Sequence, residues 1–413
     1  MNNADDPVVI VGAGHGGAAL AALLRQSGYT GGLVLIGAEH HLPYHRPPLS
    51  KKFGGPELYQ QLRPEEFYAD NDIDLKCAVT VTGIDRPAGR VHLSDGTTCA
   101  YRALVLATGS APRSLPVPGA DSPGVLTLRT LDDARGLEAA LTRRDRLAII
   151  GGGYVGMEVA AVARSVDIPV TILELEERVL ARVASAALSQ RLSSYHRERG
   201  TSIVTGAQVC AIVHEKSRSS GVELADGTVI EADTVLVGIG AVPNDTLAHR
   251  SGIACDGGVL VDDESRTSDP SVFAIGDVAR RPVRGADGLV RLESIPNVTE
   301  QARQIAAALL DLDRPEPEVP WFWSDQFDLK LKIAGLVSRG SRVLHRPGRK
   351  PGSFALFHLS TDDTVTAVET VNAAGEFVAG KNFIAERCPV DADLLVRPDV
   401  SLRDVRVPAT SFT

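Results

Sequence analysis

Four consecutive aliphatic residues, Val8-Val9-Ile10-Val11, run directly into Gly12-Ala13-Gly14-His15-Gly16-Gly17, and an alanine-rich stretch without proline follows. This order predicts a strand, a tight turn and a helix start, the arrangement in which backbone N–H groups and a helix dipole face an anion. In the G-x-G-x-x-G spacing, Gly12 permits the turn, Gly14 lets a pyrophosphate approach the backbone, and Gly17 lets the helix pack closely on the strand. A second aliphatic run, Leu33-Val34-Leu35-Ile36, leads to Glu39, 22 residues past Gly17. A carboxylate at that distance can accept hydrogen bonds from a ribose hydroxyl. The bland reading is a glycine-rich turn in an ordinary strand–helix unit. Strand before, helix after and acid at the right spacing favour a dinucleotide site.

The pattern recurs. Leu147-Ala148-Ile149-Ile150 enters a turn with Gly151, Gly153 and Gly156, a helix is expected from Met157 to about Ser165, and a strand from Val170 to Leu173 ends at Glu174. Downstream of each fingerprint the sequences stay parallel. Asp95-Gly96 precedes the strand that closes at Ala107-Thr108-Gly109, and Asp226-Gly227 precedes the one that closes at Gly238-Ile239-Gly240. Two units of one architecture are therefore expected. Glu174 would repel the 2'-phosphate of NADP, which favours NAD, although Arg178 and Arg182 follow closely and pull the other way. Glu158 has a bland reading as a first-turn acid that complements the helix dipole.

At 413 residues the chain is long enough for two or three domains. Its net charge of -9 argues against nucleic acid as the main partner. The start, Met1-Asn2-Asn3-Ala4-Asp5-Asp6, lacks the basic and apolar regions of a signal peptide, and no apolar run is long enough to span a bilayer; a cytoplasmic protein without membrane contact is expected. Cys77, Cys99, Cys210, Cys255 and Cys388 are scattered, without C-x-x-C or metal-ligand spacing, so neither a redox cysteine pair nor a metal site is expected.

Between and beyond the fingerprints lie further candidates. In Arg46-Pro47-Pro48-Leu49-Ser50-Lys51 the prolines fix an extended entry and Ser50 is placed to cap a short helix, which would hold Lys51 at a defined spot; the bland reading of Lys51 is a surface lysine. Residues 75 to 113 alternate like strands. A turn and short buried strand lead to Gly276-Asp277, where Gly276 admits close approach and Asp277 can accept from a polyol or merely cap the next turn. Ile295-Pro296-Asn297 opens a helix that ends near Leu310. A proline-rich stretch, Arg314 to Pro320, reads as a domain boundary. After Trp321-Phe322-Trp323, the alternation of Phe327, Leu329, Leu331 and Ile333 with Asp328, Lys330 and Lys332 predicts one strand. Strands at 353 to 359 and 364 to 371 and a helix from about Gly380 to Arg387 complete a small sheet domain.

Over nearly the whole chain, the stretches at 12 to 17, 46 to 51, 107 to 109, Arg129-Thr130-Leu131, 151 to 158, the segment ending at Asp277, Glu293-Ser294-Ile295-Pro296-Asn297 and Trp321-Phe322-Trp323-Ser324-Asp325-Gln326 resemble the bacterial FAD-dependent ferredoxin reductases that serve cytochrome monooxygenases and ring-hydroxylating dioxygenases. His40 and His41 fall outside that pattern. The resemblance implies an α/β, glutathione reductase-like fold with two Rossmann-like domains and a small α+β interface domain. FAD is expected on residues 1–114 and 244–318, NADH on 115–243, and the C-terminal domain over 319–413. It carries FAD contacts to Gly12, Gly14, Gly16, Glu39, Arg46, Lys51, Val81, Arg129, Asp277 and Ile295, and it makes Lys51 and Glu158 an ion pair near the flavin's reactive nitrogen. Gly17, Ala107, Thr108, Gly109, Gly151, Gly153, Gly156, Glu174, Gly240, Gly276 and Trp323 complete the expected cofactor-binding positions.

The implied reaction passes a hydride from NADH to the flavin and then single electrons to a two-iron ferredoxin, with cofactors carrying the chemistry and the protein supplying position and charge. Without paired cysteines the route of disulfide reductases is excluded. Alternatives are an NADH-dependent rubredoxin or nitrite-system reductase, and a redox-sensing NADH-binding flavoprotein akin to apoptosis-inducing factor. Because the net charge is negative, an acidic ferredoxin is expected to meet a local basic face, with Arg280, Arg281, Arg284, Lys330 and Lys332 as candidates.

Overall fold

In a computed structural model the described residues are 5–53, 55–215, 218–338 and 340–407; Met1 to Ala4 of the acidic start lie outside them. The chain divides into two compact units, one of residues 1–46, 59–111 and 242–320, the other of 47–58, 112–241 and 321–413.

The first unit is built on a five-stranded parallel sheet. Val8–Val11 sits at its centre, with Leu33–Ile36 and then Ile73–Lys76 on one side and Ala103–Leu106 and then Val272–Ala274 on the other. All eight residues of the first two of these strands are buried, as expected for strands covered on both faces. The helices His15–Gln26 and Ile295–Leu309 cover one face, through Leu20, Leu24, Ala302 and Ile305. A three-stranded antiparallel meander, Val81–Asp85, Arg90–Leu93 and Thr98–Ala100, packs Val81, Val91 and Leu93 against the opposite face.

The second unit repeats this plan strand for strand. Leu147–Ile150 lies between Val170–Glu174 and Thr234–Val237, with Thr201–Thr205 and Val125–Leu126 outermost, all parallel. Its meander is Val209–Glu215, Arg218–Leu224 and Val229–Glu231. The same unit holds a five-stranded antiparallel sheet in the order Trp321–Gln326, Leu329–Gly335, Val365–Val371, Phe354–Leu359, Arg342–Pro347, covered by the helix Ala374–Glu386. The expected α/β class, two doubly wound sheets plus an α+β C-terminal portion, is the observed one.

Local expectations fail at identifiable places. Phe327 does not continue a strand but sits at φ 54° in a turn after Gln326, its ring against His196 at 5.0 Å. The helix expected from about Gly380 starts at Ala374. Gly380 is no breaker: a Cβ there would lie 2.5 Å from Val368, so glycine lets the helix lie close on the sheet. Arg342–Pro347 gave no strand signal because Arg346 is turned inward, donating to the carbonyls of Leu395, Arg397 and Val400. The helix after the second fingerprint begins at Tyr154.

Arg281 also departs from expectation. It cannot belong to a basic docking face, because it is 5% exposed, gives both terminal nitrogens to Glu300 at 3.2 and 2.6 Å and its Nε to Asn297 at 2.9 Å. A buried pair of this kind is costly to break on one side only. Arg281→Met is expected to destabilise the first unit by about 3–5 kcal/mol, read from denaturant unfolding, with much of the loss recovered when Glu300→Leu is added. Arg284→Glu, on an exposed turn, is expected to stay within about 0.5 kcal/mol of the parent. Equal effects of the two single changes would refute the buried-pair assignment.

Candidate functional site

The first glycine turn has the geometry that its spacing demands. Gly12 is at φ +116°, and a Cβ there would lie 2.1 Å from the carbonyl oxygen of Ala107. A Cβ on Gly17 would lie 2.0 Å from the carbonyl of Gly12, so the helix can start this close to the strand only over glycine. Gly14 is the helix N-cap and makes no side-chain cap; its own Cβ would meet nothing nearer than the Arg46 guanidinium at 3.8 Å. The first-turn amides thus keep the open, bare approach that a pyrophosphate requires. Gly16 faces Val298 and Ile275 at ordinary contact distance.

Around this turn the carboxyl ends of four parallel strands bring together most of the expected positions in the first unit. Past Ile36, the Glu39 carboxylate accepts from Tyr44 Oη and Arg46 Nη2, both at 2.6 Å, and is fixed as an acceptor pointing from the strand end. Past Leu106, Thr108 Oγ1 donates to the Asn244 carbonyl and Asn244 Nδ2 donates back to the Thr108 carbonyl, both at 2.8 Å, with Gly109 at φ +66°. Past Ala274, Gly276 at φ +80° gives its N–H to Gln301, and Asp277 accepts from Ser110 Oγ at 3.2 Å. Ile295 is the first residue of a helix capped by Ser294. Val81 is different: the residue is 8% exposed and belongs to the core under the meander. His15, beside Gly14, has its ring nitrogen pushed down to about 4 by burial and then by His45, so it is neutral.

Lys51, Arg129 and Trp323 belong to the second unit, with the second glycine turn. Gly151 at φ +108° lies against the carbonyl of Gly238, Gly156 against that of Gly151, and Gly153, the helix N-cap, has open space where a Cβ would be. Glu174 accepts from the N–H of Gly152 at 2.6 Å and of Glu176 at 2.9 Å. Arg178, which by sequence pulled toward NADP, gives its guanidinium to the carbonyls of Ala181, Ala184 and Ser185 and is committed to the loop. Arg182 is exposed beside Gly240. Arg129 lies just before a capping box formed by Thr130 and Asp133, and Trp323 is half-buried opposite Lys332 in the C-terminal sheet.

Lys51 and Glu158 meet. Lys51 Nζ lies 2.8 Å from Glu158 Oε2, with the side chains 16% and 4% exposed. The surface-lysine and first-turn readings both fail: Glu158 lies one turn further into its helix, which has no first-turn acid. Ser50 does not cap a helix; it ends the one-turn Pro47–Ser50 helix and donates to Glu158 Oε2 at 2.5 Å. Ser324 donates to Oε1 at 2.6 Å. The two serines were missed, although Ser324 and Gln326 share one strand face by period two, a signal present in the sequence. Tyr154 stacks edge-on with Phe322 at 4.8 Å, and its hydroxyl is pushed well up by burial, then by Glu369 and Glu158.

No thiol chemistry is prepared. All five cysteines are unpaired, and burial pushes the thiols of Cys77 and Cys99 up and that of Cys255 to about 11. Among the expected basic face, Arg280 is paired with Asp256 and Lys330 with Asp325, while Lys332 lies over the Phe377 ring at 5.4 Å. Among the described residues no helix is long and apolar enough to cross a membrane.

Two parallel sheets, each ending in a bare glycine turn with an acid at the next strand end, define a two-dinucleotide oxidoreductase. The chain belongs to the pyridine nucleotide-disulphide oxidoreductase family, whose model matches residues 6–305, followed by a reductase C-terminal domain over residues 321–406. It is 43% identical to the probable ferredoxin reductase CtmF of Castellaniella defragrans over 98% of this chain and 100% of that protein. It is 41% identical to putidaredoxin reductase CamA of Pseudomonas putida over 98% of this chain and 97% of that one. Among solved structures it is similar to the reductase in the covalent putidaredoxin reductase–putidaredoxin complex, with a TM-score of 0.92, 41% identity and 98% of each chain covered.

The two central glycines separate folding from binding. Gly12→Ala must displace the Ala107 carbonyl at a strained φ and is expected to cost stability as well as cofactor. Gly14→Ala has room and is expected to melt within a few degrees of the parent while binding dinucleotide at least tenfold more weakly, read by thermal unfolding and flavin titration. A Gly14→Ala protein that binds flavin as the parent does would remove the pyrophosphate from this turn.

Proposed function

We propose that this chain is an FAD-dependent NADH:ferredoxin reductase that delivers electrons to a two-iron ferredoxin serving a cytochrome monooxygenase or ring-hydroxylating dioxygenase. The observation that carries the reading is the buried Lys51–Glu158 pair in a chain with two dinucleotide turns and no paired thiols. A disulfide reductase of this family needs the thiols; a protein that hands electrons onward from a flavin needs only position and charge. The relatives named above are ferredoxin and putidaredoxin reductases, one of them solved with its putidaredoxin, which supports an iron–sulfur acceptor. A cytoplasmic site of action suits this reading.

In this reading residues 1–114 and 244–318 hold FAD. The helix after Gly14 takes the pyrophosphate, Glu39 takes the adenine ribose, and Asp277 takes the polyol. Residues 115–243 hold NADH, and residues 319–413 form the interface domain that carries Trp323. When bound, the flavin accepts a hydride from NADH and releases electrons singly. Lys51, ion-paired with Glu158, would set its ammonium where electron density builds up on the ring, an electrostatic contribution that needs no reorganisation during the reaction. Ser50 and Ser324 donate to the two oxygens of Glu158 and Lys51 donates to Oε2, so the carboxylate is placed to orient Lys51. Glu174 keeps a lone pair on each oxygen beyond its backbone bonds, enough to accept from a ribose hydroxyl, and its charge opposes a 2'-phosphate.

The purified chain is expected to hold one non-covalent FAD and to reduce at least one two-iron ferredoxin from NADH at roughly 1 s⁻¹ or faster, the ordinary range for enzymes. Steady-state assay against a panel of ferredoxins and a rubredoxin tests this. Faster turnover of rubredoxin favours that reductase class, and slow delivery to every acceptor with a persistent nucleotide–flavin charge-transfer band would replace catalysis with NADH sensing.

Cofactor choice is separable. Glu174→Gln keeps an acceptor for the Gly152 N–H, gives up the one for the exposed Glu176 N–H and removes the charge, so it is expected to cost about 1 kcal/mol of stability and to raise NADPH-driven flavin reduction several-fold. Stopped-flow traces with both nucleotides measure it; an unchanged NADPH rate would detach the preference from Glu174.

A further inference from the structure

Glu158 is one end of a longer buried chain of hydrogen bonds. Its Oε1 accepts from Ser324 Oγ at 2.6 Å; Ser324 Oγ accepts from Gln326 Nε2 at 3.2 Å; Gln326 Oε1 lies 3.0 Å from His196 Nε2. Ser324, Gln326 and His196 are each 0% exposed, and all lie in the second unit with Lys51 and Glu158. We propose that Ser324, Gln326 and His196 are a positioning relay for the Lys51–Glu158 pair, locking the Glu158 carboxylate in one orientation so that Lys51 holds its ammonium at a fixed place beside the flavin.

The direction of the chain follows from counting protons. Ser324 has one hydroxyl proton and gives it to the carboxylate, so its oxygen must receive, and only the amide nitrogen of Gln326 is placed to give. The amide oxygen then faces His196, whose Nε2 must carry the proton and whose Nδ1 must be bare. Nδ1 is indeed buried without a partner among the described residues. A bare buried nitrogen is tolerated only on a neutral ring, and burial draws His196 down to about 4, outweighing the bond to Gln326, which raises it, with Arg199 adding to the lowering. Every dipole in the chain therefore points its positive end toward Glu158.

A purely structural role explains this poorly. Well-packed apolar side chains at three fully buried positions would fold at least as well as a polar chain that leaves one atom unsatisfied. A buried chain of polar groups gains in fixed geometry what it does not gain in net stability. Ser50 holds Oε2 beside Lys51, and the relay holds Oε1, so the carboxylate cannot rotate without breaking a short bond.

The inference rests on the flavin reading, and the test separates the two. Ser324→Ala removes the donor; Gln326→Glu keeps the volume, but its new carboxylate cannot donate and draws the serine proton away from Glu158; Ser324→Thr retains the hydroxyl. In flavin-loaded protein we expect Ser324→Ala and Gln326→Glu to lower the two-electron reduction constant of the flavin roughly tenfold, about 30 mV more negative, and to slow NADH-driven reduction by a similar factor with unchanged NADH affinity, while Ser324→Thr stays near the parent. Unmoved potential and rate in the first two variants, with only a lower melting temperature, overturn the proposal in favour of packing. In the unaltered protein, ¹⁵N resonances of His196 at pH 7 should show a neutral ring protonated on Nε2. A ring protonated on Nδ1 or charged overturns the relay whether or not any variant folds. Failure of the unaltered protein to take up flavin sinks the reductase reading instead, and the histidine tautomer still decides the relay.

Discussion

A carboxylate 3% exposed to solvent, Glu158, is costly to bury, and the second unit surrounds it with hydrogen-bond donors. Donors to Glu158 come from two separated stretches, the Pro47–Ser50 turn with Lys51 and the Trp321–Gln326 strand. The chain leaves the first unit after Arg46 and returns to it at Tyr59, so one short motif serves both units, Arg46 holding Glu39 and Lys51 holding Glu158. Pairing rarely recovers the full desolvation of two buried charges. A pair retained at that cost is better explained by what the ammonium does than by what it adds to stability.

The two glycine turns are one backbone solution used twice. At both, a positive-φ glycine abuts a carbonyl from the closing strand and a helix glycine abuts the first. The acids that follow are held differently. Glu39 is clamped by the side chains of Tyr44 and Arg46, whereas Glu174 is tied to backbone N–H groups of its own turn and loop. A carboxylate anchored to backbone keeps its position when its ligand departs, which suits a nucleotide that must bind and leave in each turnover. One clamped by side chains suits a cofactor that stays.

What the sequence made legible was periodic or spaced. The strand–turn–helix units, the acids at fixed distances, the hairpins at Asp95-Gly96 and Asp226-Gly227 and three of the five C-terminal strands follow from alternation and glycine placement and are observed; Trp321–Gln326 and Arg342–Pro347 are observed but do not follow from it. The bonding around Glu158 was not legible from spacing, because residues 50, 158 and 324 are brought together only by tertiary packing; the Lys51–Glu158 pairing came from resemblance. Arg281 was misread for a related reason. An arginine near a glycine–aspartate turn is most often solvated, and nothing local reveals that Glu300, on a helix beginning 14 residues later, faces it inside the fold. Gly380 and Arg346 misled in opposite senses, one a glycine inside a helix and the other a charge inside a sheet, and in both cases a tertiary contact overrides the local rule.

The same inward use of charge bears on how an acceptor is met. Of the five cations read as a docking face, Arg281 is consumed in the core, Arg280 and Lys330 each lie against a carboxylate, and Lys332 rests over an aromatic ring. An exposed pair presents little net field beyond a Debye length of about 8 Å at physiological ionic strength, and the whole chain carries -9. Long-range attraction of an acidic ferredoxin therefore has few unpaired charges to draw on in these two groups. Steering by these two groups is weaker than that of a five-cation patch, and the salt dependence they contribute is that of a contact with few net charges.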